Sequence, residues 1–92
     1  MGYTIAICDD DKNMADKLTV SLKNEFMKAG RNDVIIDYCD TGVQLLETLK
    51  NKMYKAVLLD INMEPMDGFS VAEAIGKSGY RTKIIFVTSH ED

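Results

Sequence analysis

Hydrophobic residues alternate along the chain between two kinds of pattern. Short apolar runs without in–out alternation lie at residues 3–8, 34–38, 56–59 and 83–87. Such runs read as strands covered on both faces, as in a parallel sheet flanked by helices. Between them, apolar residues recur every three or four positions. Met14, Ala15, Leu18, Leu22 and Phe26 mark one helix over residues 12–29, and Val43, Leu45, Leu46, Leu49 and Met53 a second. Val71, Ala72 and Ile75 mark a third over residues 69–77. Each carries one stripe to bury. Asp11 or Asn13 can cap the first helix and Gly30 can end it; the run Asp40-Thr41-Gly42 caps the second, and Gly79 closes the third. The order βαβαβαβ with short connections predicts right-handed parallel crossovers and a three-layer α/β domain.

Composition narrows the class. Ninety-two residues make one small domain. A net charge of −4 gives no electrostatic reason to expect this segment to grip nucleic acid or an anionic membrane. No apolar run approaches the roughly 20 residues that span a bilayer, and no signal-peptide pattern precedes the first strand. Cys8 and Cys39 are far apart, outside any metal-ligand spacing, and beside apolar strands. Buried free thiols in a reducing cytoplasm are expected.

Polar residues gather where the strands end. Asp9, Asp10 and Asp11 follow the first strand, Asp60 ends the third, and Thr88-Ser89 follow the fourth. Parallel strands place all of these on one sheet edge, the edge where open α/β sheets bind ligands. If the first and third strands are neighbours, Asp10 and Asp60 lie close together and repel unless a cation intervenes. An all-oxygen donor set with room for water suits Mg²⁺. A carboxylate there can be a metal ligand or a nucleophile towards phosphorus. Blander readings stand beside these. The three acids favour a helix N-terminus in any case. Thr88-Ser89 can be an N-cap, Asp67-Gly68 reads as a turn and cap, His90 as an exposed loop residue, and the six methionines as core filling.

Three motifs in order resemble the receiver domain of two-component response regulators: Ile7-Cys8-Asp9-Asp10-Asp11, Leu59-Asp60-Ile61-Asn62-Met63 with Met66-Asp67-Gly68, and Ile84-Ile85-Phe86-Val87-Thr88-Ser89. The resemblance implies a flavodoxin-like parallel sheet, here of order 2-1-3-4. It implies that Asp60 accepts a phosphoryl group from a histidine kinase. Asp9, Asp10 and Asp60 would hold Mg²⁺ together with the backbone carbonyl of Asn62. Thr88 would hydrogen-bond the phosphoryl group and carry the signal into the fourth strand. The run Phe86-Val87-Thr88-Ser89-His90 is similar to receivers that precede LytTR-type DNA-binding domains, so a transcriptional output beyond residue 92 is expected.

The chain departs from the pattern in two places. Glu64 stands where the family has proline, and Pro65 follows, which adds a negative charge at unchanged loop length. The sequence ends at Asp92, where the resemblance implies the fourth helix, so the fifth strand, its lysine and the last two helices are expected to lie outside these residues, whether the receiver is truncated or the 92 residues are a piece of a longer protein. Lys83 is no substitute, since it opens the fourth strand at the far edge. Order 2-1-3-4 leaves the fourth strand an edge whose run Ile84-Ile85-Phe86-Val87 has no charge or proline, open to pairing with a second copy or a swapped segment. Two other functions remain open: a receiver-like binding module that is not phosphorylated, and a Mg²⁺-dependent phosphatase of haloacid-dehalogenase type. The latter wants a second aspartate two positions after the nucleophile, where Asn62 stands.

Overall fold

The computed structural model describes residues 2–88; the expectations for Ser89 and His90 lie outside the described residues. Its elements are β1 (Tyr3–Cys8), α1 (Lys12–Lys28), β2 (Val34–Cys39), α2 (Gly42–Leu49), β3 (Ala56–Asp60), α3 (Gly68–Lys77) and β4 (Lys83–Val87). The four strands form one parallel sheet of order β2-β1-β3-β4. This is the parallel α/β sheet expected from the alternation of patterns, in the flavodoxin-like order that the receiver resemblance implies. Among the described residues, no helix is long and apolar enough to cross a membrane.

Strand side chains alternate between faces, and two cores result. Ala6, Cys8, Val57 and Leu59 meet Leu45 and Leu49 of α2 and Val71 and Ile75 of α3. On the other face Ile5, Ile7 and Leu58 meet Ala15, with Leu18, Leu22 and Phe26 of α1 half-buried against them. Helices therefore cover both faces of β1 and β3, which is why those strands lack a polar side. Both cysteines are buried free thiols, and burial pushes the Cys8 thiol up to about 12.

Each helix starts on a side-chain cap. Asp11 accepts from the Asn13 and Met14 amides, Thr41 from Gln44, and Asp67 from Ser70. Gly30 and Gly79, at φ 79° and 77°, take the left-handed turn after α1 and α3.

Two sequence expectations are corrected. The second helix stops at Leu49, and Met53 is 84% exposed. The Lys52 ammonium and the Tyr54 hydroxyl both bind Asp37 on β2. These contacts draw residues 52–54 out of helical register towards the start of β3. The methionines also divide: Met63 is buried, whereas Met27, like Met53, faces solvent. Periodicity cannot distinguish a helix's last core turn from the loop that follows it.

Candidate functional site

Asp9 follows the last residue of β1 and Asp60 is the last residue of β3, and these strands are paired neighbours. Parallel pairing sets their carboxylates side by side at the C-terminal edge. One oxygen from each of Asp9, Asp10 and Asp60 lies within 4.8 Å of the others. Asp9 and Asp60 are almost wholly buried, at 1% and 2% exposure, while Asp10 is exposed. Asn62 lines, with Asp10, Glu64 and Asp67, an open crevice of about 560 Å³ over this cluster. The added charge of Glu64 therefore lies at the mouth of the site. Thr88 follows Val87, the register partner of Asp60, and is exposed at the same edge.

The cluster is electrostatically unsatisfied. Asp9 Oδ1 accepts from the Asp11 amide at 2.9 Å, but Asp9 Oδ2 is buried without a hydrogen-bond partner among the described residues. Burial pushes the Asp9 carboxyl up to about 6; the Asp11 amide opposes this and the nearby Asp60 charge adds to it. Among the described residues, Asp60 Oδ1 accepts only a long contact, 3.3 Å, from the Asn62 amide. Among the described residues no lysine or arginine forms an ion pair with any of the three. An orphaned buried carboxylate oxygen beside two further carboxylates is a donor set that fits a hard divalent cation.

Contacts outside the motifs hold the cluster in place. The Tyr38 hydroxyl donates to the Asp9 carbonyl at 2.9 Å, and the Asp9 amide donates to the Cys39 carbonyl at 3.1 Å. The Cys8 thiol donates to the Thr41 carbonyl at 3.4 Å and to Met63 Sδ at 3.8 Å, tying the loop after β3 to β1. The Ile61 amide donates to the Val87 carbonyl at 3.1 Å, and the Gly68 amide to the Ile61 carbonyl at 2.9 Å. A Cβ on Gly68 would strike the Asp60 carbonyl oxygen and Ile61 Cα. The sequence reading took Asp67-Gly68 for a turn and cap. Asp67 is the cap, and Gly68 is also the place where α3 abuts the backbone of Asp60. Neither Tyr38 nor Gly68 was identified as a support of the site. The signal available for Tyr38 was a hydroxyl near the end of the strand beside β1.

A four-stranded parallel sheet of this order, with buried aspartates after β1 and at the end of β3, is the architecture of a receiver. The chain belongs to the response regulator receiver domain family, whose model matches residues 5–92. Among curated proteins it is 26% identical to the response regulator MprA of Mycobacterium sp. (strain KMS) over 91 residues, 99% of this chain and 36% of that protein. It is also 35% identical over 57 residues to the signal transduction histidine-protein kinase BarA of Escherichia coli (strain K12), covering 60% of this chain and 6% of BarA. The chain thus spans little more than a third of MprA and a small part of BarA. Among solved structures, the response regulator TrrA of Thermotoga maritima, in complex with Mg²⁺-BeF, matches with TM-score 0.75 at 30% identity. That match covers 97% of this chain and 71% of TrrA. The signal receiver domain of the putative response regulator NarL from Mycobacterium tuberculosis shares the fold, with TM-score 0.78 at 23% identity over 99% of this chain and 69% of that one.

Proposed function

We propose that this receiver accepts a phosphoryl group on Asp60 from a histidine kinase and works as a switch rather than as a turnover enzyme. The observation that carries the reading is the meeting of Asp9, Asp10 and Asp60 within 4.8 Å, with one buried oxygen left unpartnered. Asp9, Asp10 and Asp60 would hold Mg²⁺, with the backbone carbonyl of Asn62 as a fourth donor. When bound, the ion offsets the carboxylate charge and that of the incoming phosphoryl oxygens. TrrA, a relative of this fold, is solved in complex with Mg²⁺-BeF, which supports Mg²⁺ as the ion.

The chain's own part in the transfer is positional. An Asp60 oxygen attacks phosphorus in line, a P–O bond forms, and the P–N bond to the kinase imidazole breaks with its electron pair returning to nitrogen. Burial of Asp60 beside the 61–67 loop fixes the attacking oxygen and limits the water around the resulting acyl phosphate. The Thr88 hydroxyl donates to a phosphoryl oxygen, and its movement reaches the surface through β4. Asn62 argues against a haloacid-dehalogenase phosphatase, because an amide cannot serve as a general acid.

The finer readings follow the same line. The output is transcriptional, through a LytTR-type DNA-binding domain of a longer, cytoplasmic protein. Where no further strand of the longer protein covers it, β4, with Ile85 46% and Phe86 42% exposed, pairs along its edge with a second copy or a swapped segment. A well-folded monomer in sedimentation velocity would count against that pairing.

The deciding test of the acceptor is intact mass after incubation with acetyl phosphate and Mg²⁺, for wild type and Asp60→Asn. One phosphoryl group gained by wild type and absent from the variant supports the reading. Equal labelling of the two, or none, refutes it for this chain.

A further inference from the structure

The opposite, N-terminal edge of the sheet carries a second feature. A cavity of about 480 Å³ lies there between the segment after α2 and the segment before β4. Leu49, Met53 and Tyr80 give it an apolar lining, and Lys50, Lys52 and Arg81 stand around it. Residues 50–55 and 77–83 hold six of the chain's eleven lysines and arginines and no aspartate or glutamate, although the chain as a whole is at −4. Part of this charge is already matched, since Lys50 pairs with Glu47 at 2.9 Å and Lys52 with Asp37. Arg81, Lys77 and Lys83 form no ion pair among the described residues. At 84% exposure, Met53 is the most exposed large hydrophobic side chain among the described residues.

We propose that this cavity is a docking site for an acidic protein segment that carries an apolar anchor residue. The anchor would lie against Leu49, Met53 and Tyr80, where a flexible thioether adapts to the shape of its partner. Carboxylates on either side would meet Arg81 first, because its guanidinium is uncommitted and binds carboxylates in a two-pronged fashion. Charge complementarity selects the partner: a concentrated cationic rim on an anionic domain attracts a short acidic segment. A long polyanion such as DNA would also meet the domain's overall negative field. Tyr80 alone offers no stacking platform for bases. The cavity lies at the edge remote from Asp60, so its occupant leaves the acidic crevice open.

The probe is a fluorescein-labelled peptide of alternating acidic and leucine residues, followed by anisotropy and by amide chemical shifts of the labelled chain. Saturable binding in about the micromolar range is expected, with shifts confined to residues 49–53 and 79–82. Arg81→Glu should weaken it about tenfold or more, Met53→Ser several-fold, and added salt should weaken it further. Both side chains lie at the surface, so melting curves should be unchanged and loss of fold is separable from loss of binding. Four results would each overturn the proposal. They are no binding up to about 1 mM, shifts elsewhere on the domain, affinity unchanged in both variants, and equal affinity for duplex DNA or phosphatidylserine vesicles. Concentration-dependent shifts at the same residues without peptide would assign the site to a second copy instead, and would overturn it too.

Discussion

Replacing Gly68 with alanine tests whether α3 fixes the position of Asp60. An added Cβ would lie 2.8 Å from Ile61 Cα and closer still to the Asp60 carbonyl oxygen. Ordinary carbon contacts are about 3.5–4.0 Å, so helix and loop must separate by roughly an ångström. Both obstacles are backbone atoms, which cannot rotate aside. Overpacking of this kind costs about 1–3 kcal/mol. Stretching the 2.9 Å bond from the Gly68 amide to the Ile61 carbonyl adds about 1 kcal/mol. A loss of about 2–4 kcal/mol lowers the melting temperature by roughly 8–32 °C in a domain of this size. An ångström of misplacement at a reacting centre is worth about a hundredfold in rate. Phosphorylation by acetyl phosphate, followed by intact mass well below the melting transition, should therefore slow by about ten- to a hundredfold. Gly76→Ala is the control, since its Cβ meets nothing within 4 Å. In the same helix it should stabilise by about 0.5–1 kcal/mol and leave the rate alone. Wild-type stability and rate in Gly68→Ala would refute the argument that this close approach positions Asp60.

Three further outcomes are expected. Tyr38→Phe removes the hydroxyl that donates to the Asp9 carbonyl and should lose about 1 kcal/mol in urea unfolding, with slower phosphorylation in the folded protein. Mg²⁺ should raise the melting temperature of wild type, by the equivalent of about 2.7 kcal/mol at a hundred times Kd, and should do nothing measurable for Asp9→Asn. Asn there should also stabilise the metal-free protein, because it relieves a buried carboxylate that faces Asp60. Finally, the Lys52 ammonium, and after it the Tyr54 hydroxyl, hold the Asp37 carboxyl below its ordinary value of 3.8. A depressed folded pKa gives stability that is complete above the unfolded value and is lost as pH falls through the folded one. Urea midpoints measured downward from about pH 5 should therefore fall less steeply in Asp37→Asn than in wild type.

The fold was legible because each strand of β1 and β3 is apolar on both sides and each helix shows its stripe. The acidic triad was legible for a simpler reason. A residue at the end of a parallel strand has its edge fixed by chain direction alone, so Asp10 and Asp60 could be placed together once β1 and β3 were taken as neighbours; that Asp9 is the one buried beside Asp60 and Asp10 the exposed one depends on the turn after β1. Positions off the strands had no such rule. Met53 continues the spacing of α2, yet the chain leaves the helix early because Lys52 and Tyr54 are drawn to Asp37 on β2. That contact joins residues 15 and 17 positions apart, and no local pattern encodes it.

What the motifs omit is the support for an arrangement that is unfavourable by itself. Three carboxylates crowd one edge, two of them buried, and Asp9 Oδ2 has no partner. Repulsion alone would spread them, since the loop after β3 carries no regular structure of its own. The loop is instead pinned at Met63 by Cys8, at Ile61 by Val87, and at its end by Gly68 against the backbone of Asp60. Tyr38 pins the other side through the Asp9 carbonyl. Most of these contacts use a backbone group or an apolar atom and none brings a charge, so the cluster keeps its negative potential while its geometry stays fixed. The function therefore depends on residues that look structural, and substitutions at Tyr38 or Gly68 should impair the switch with every acidic residue intact.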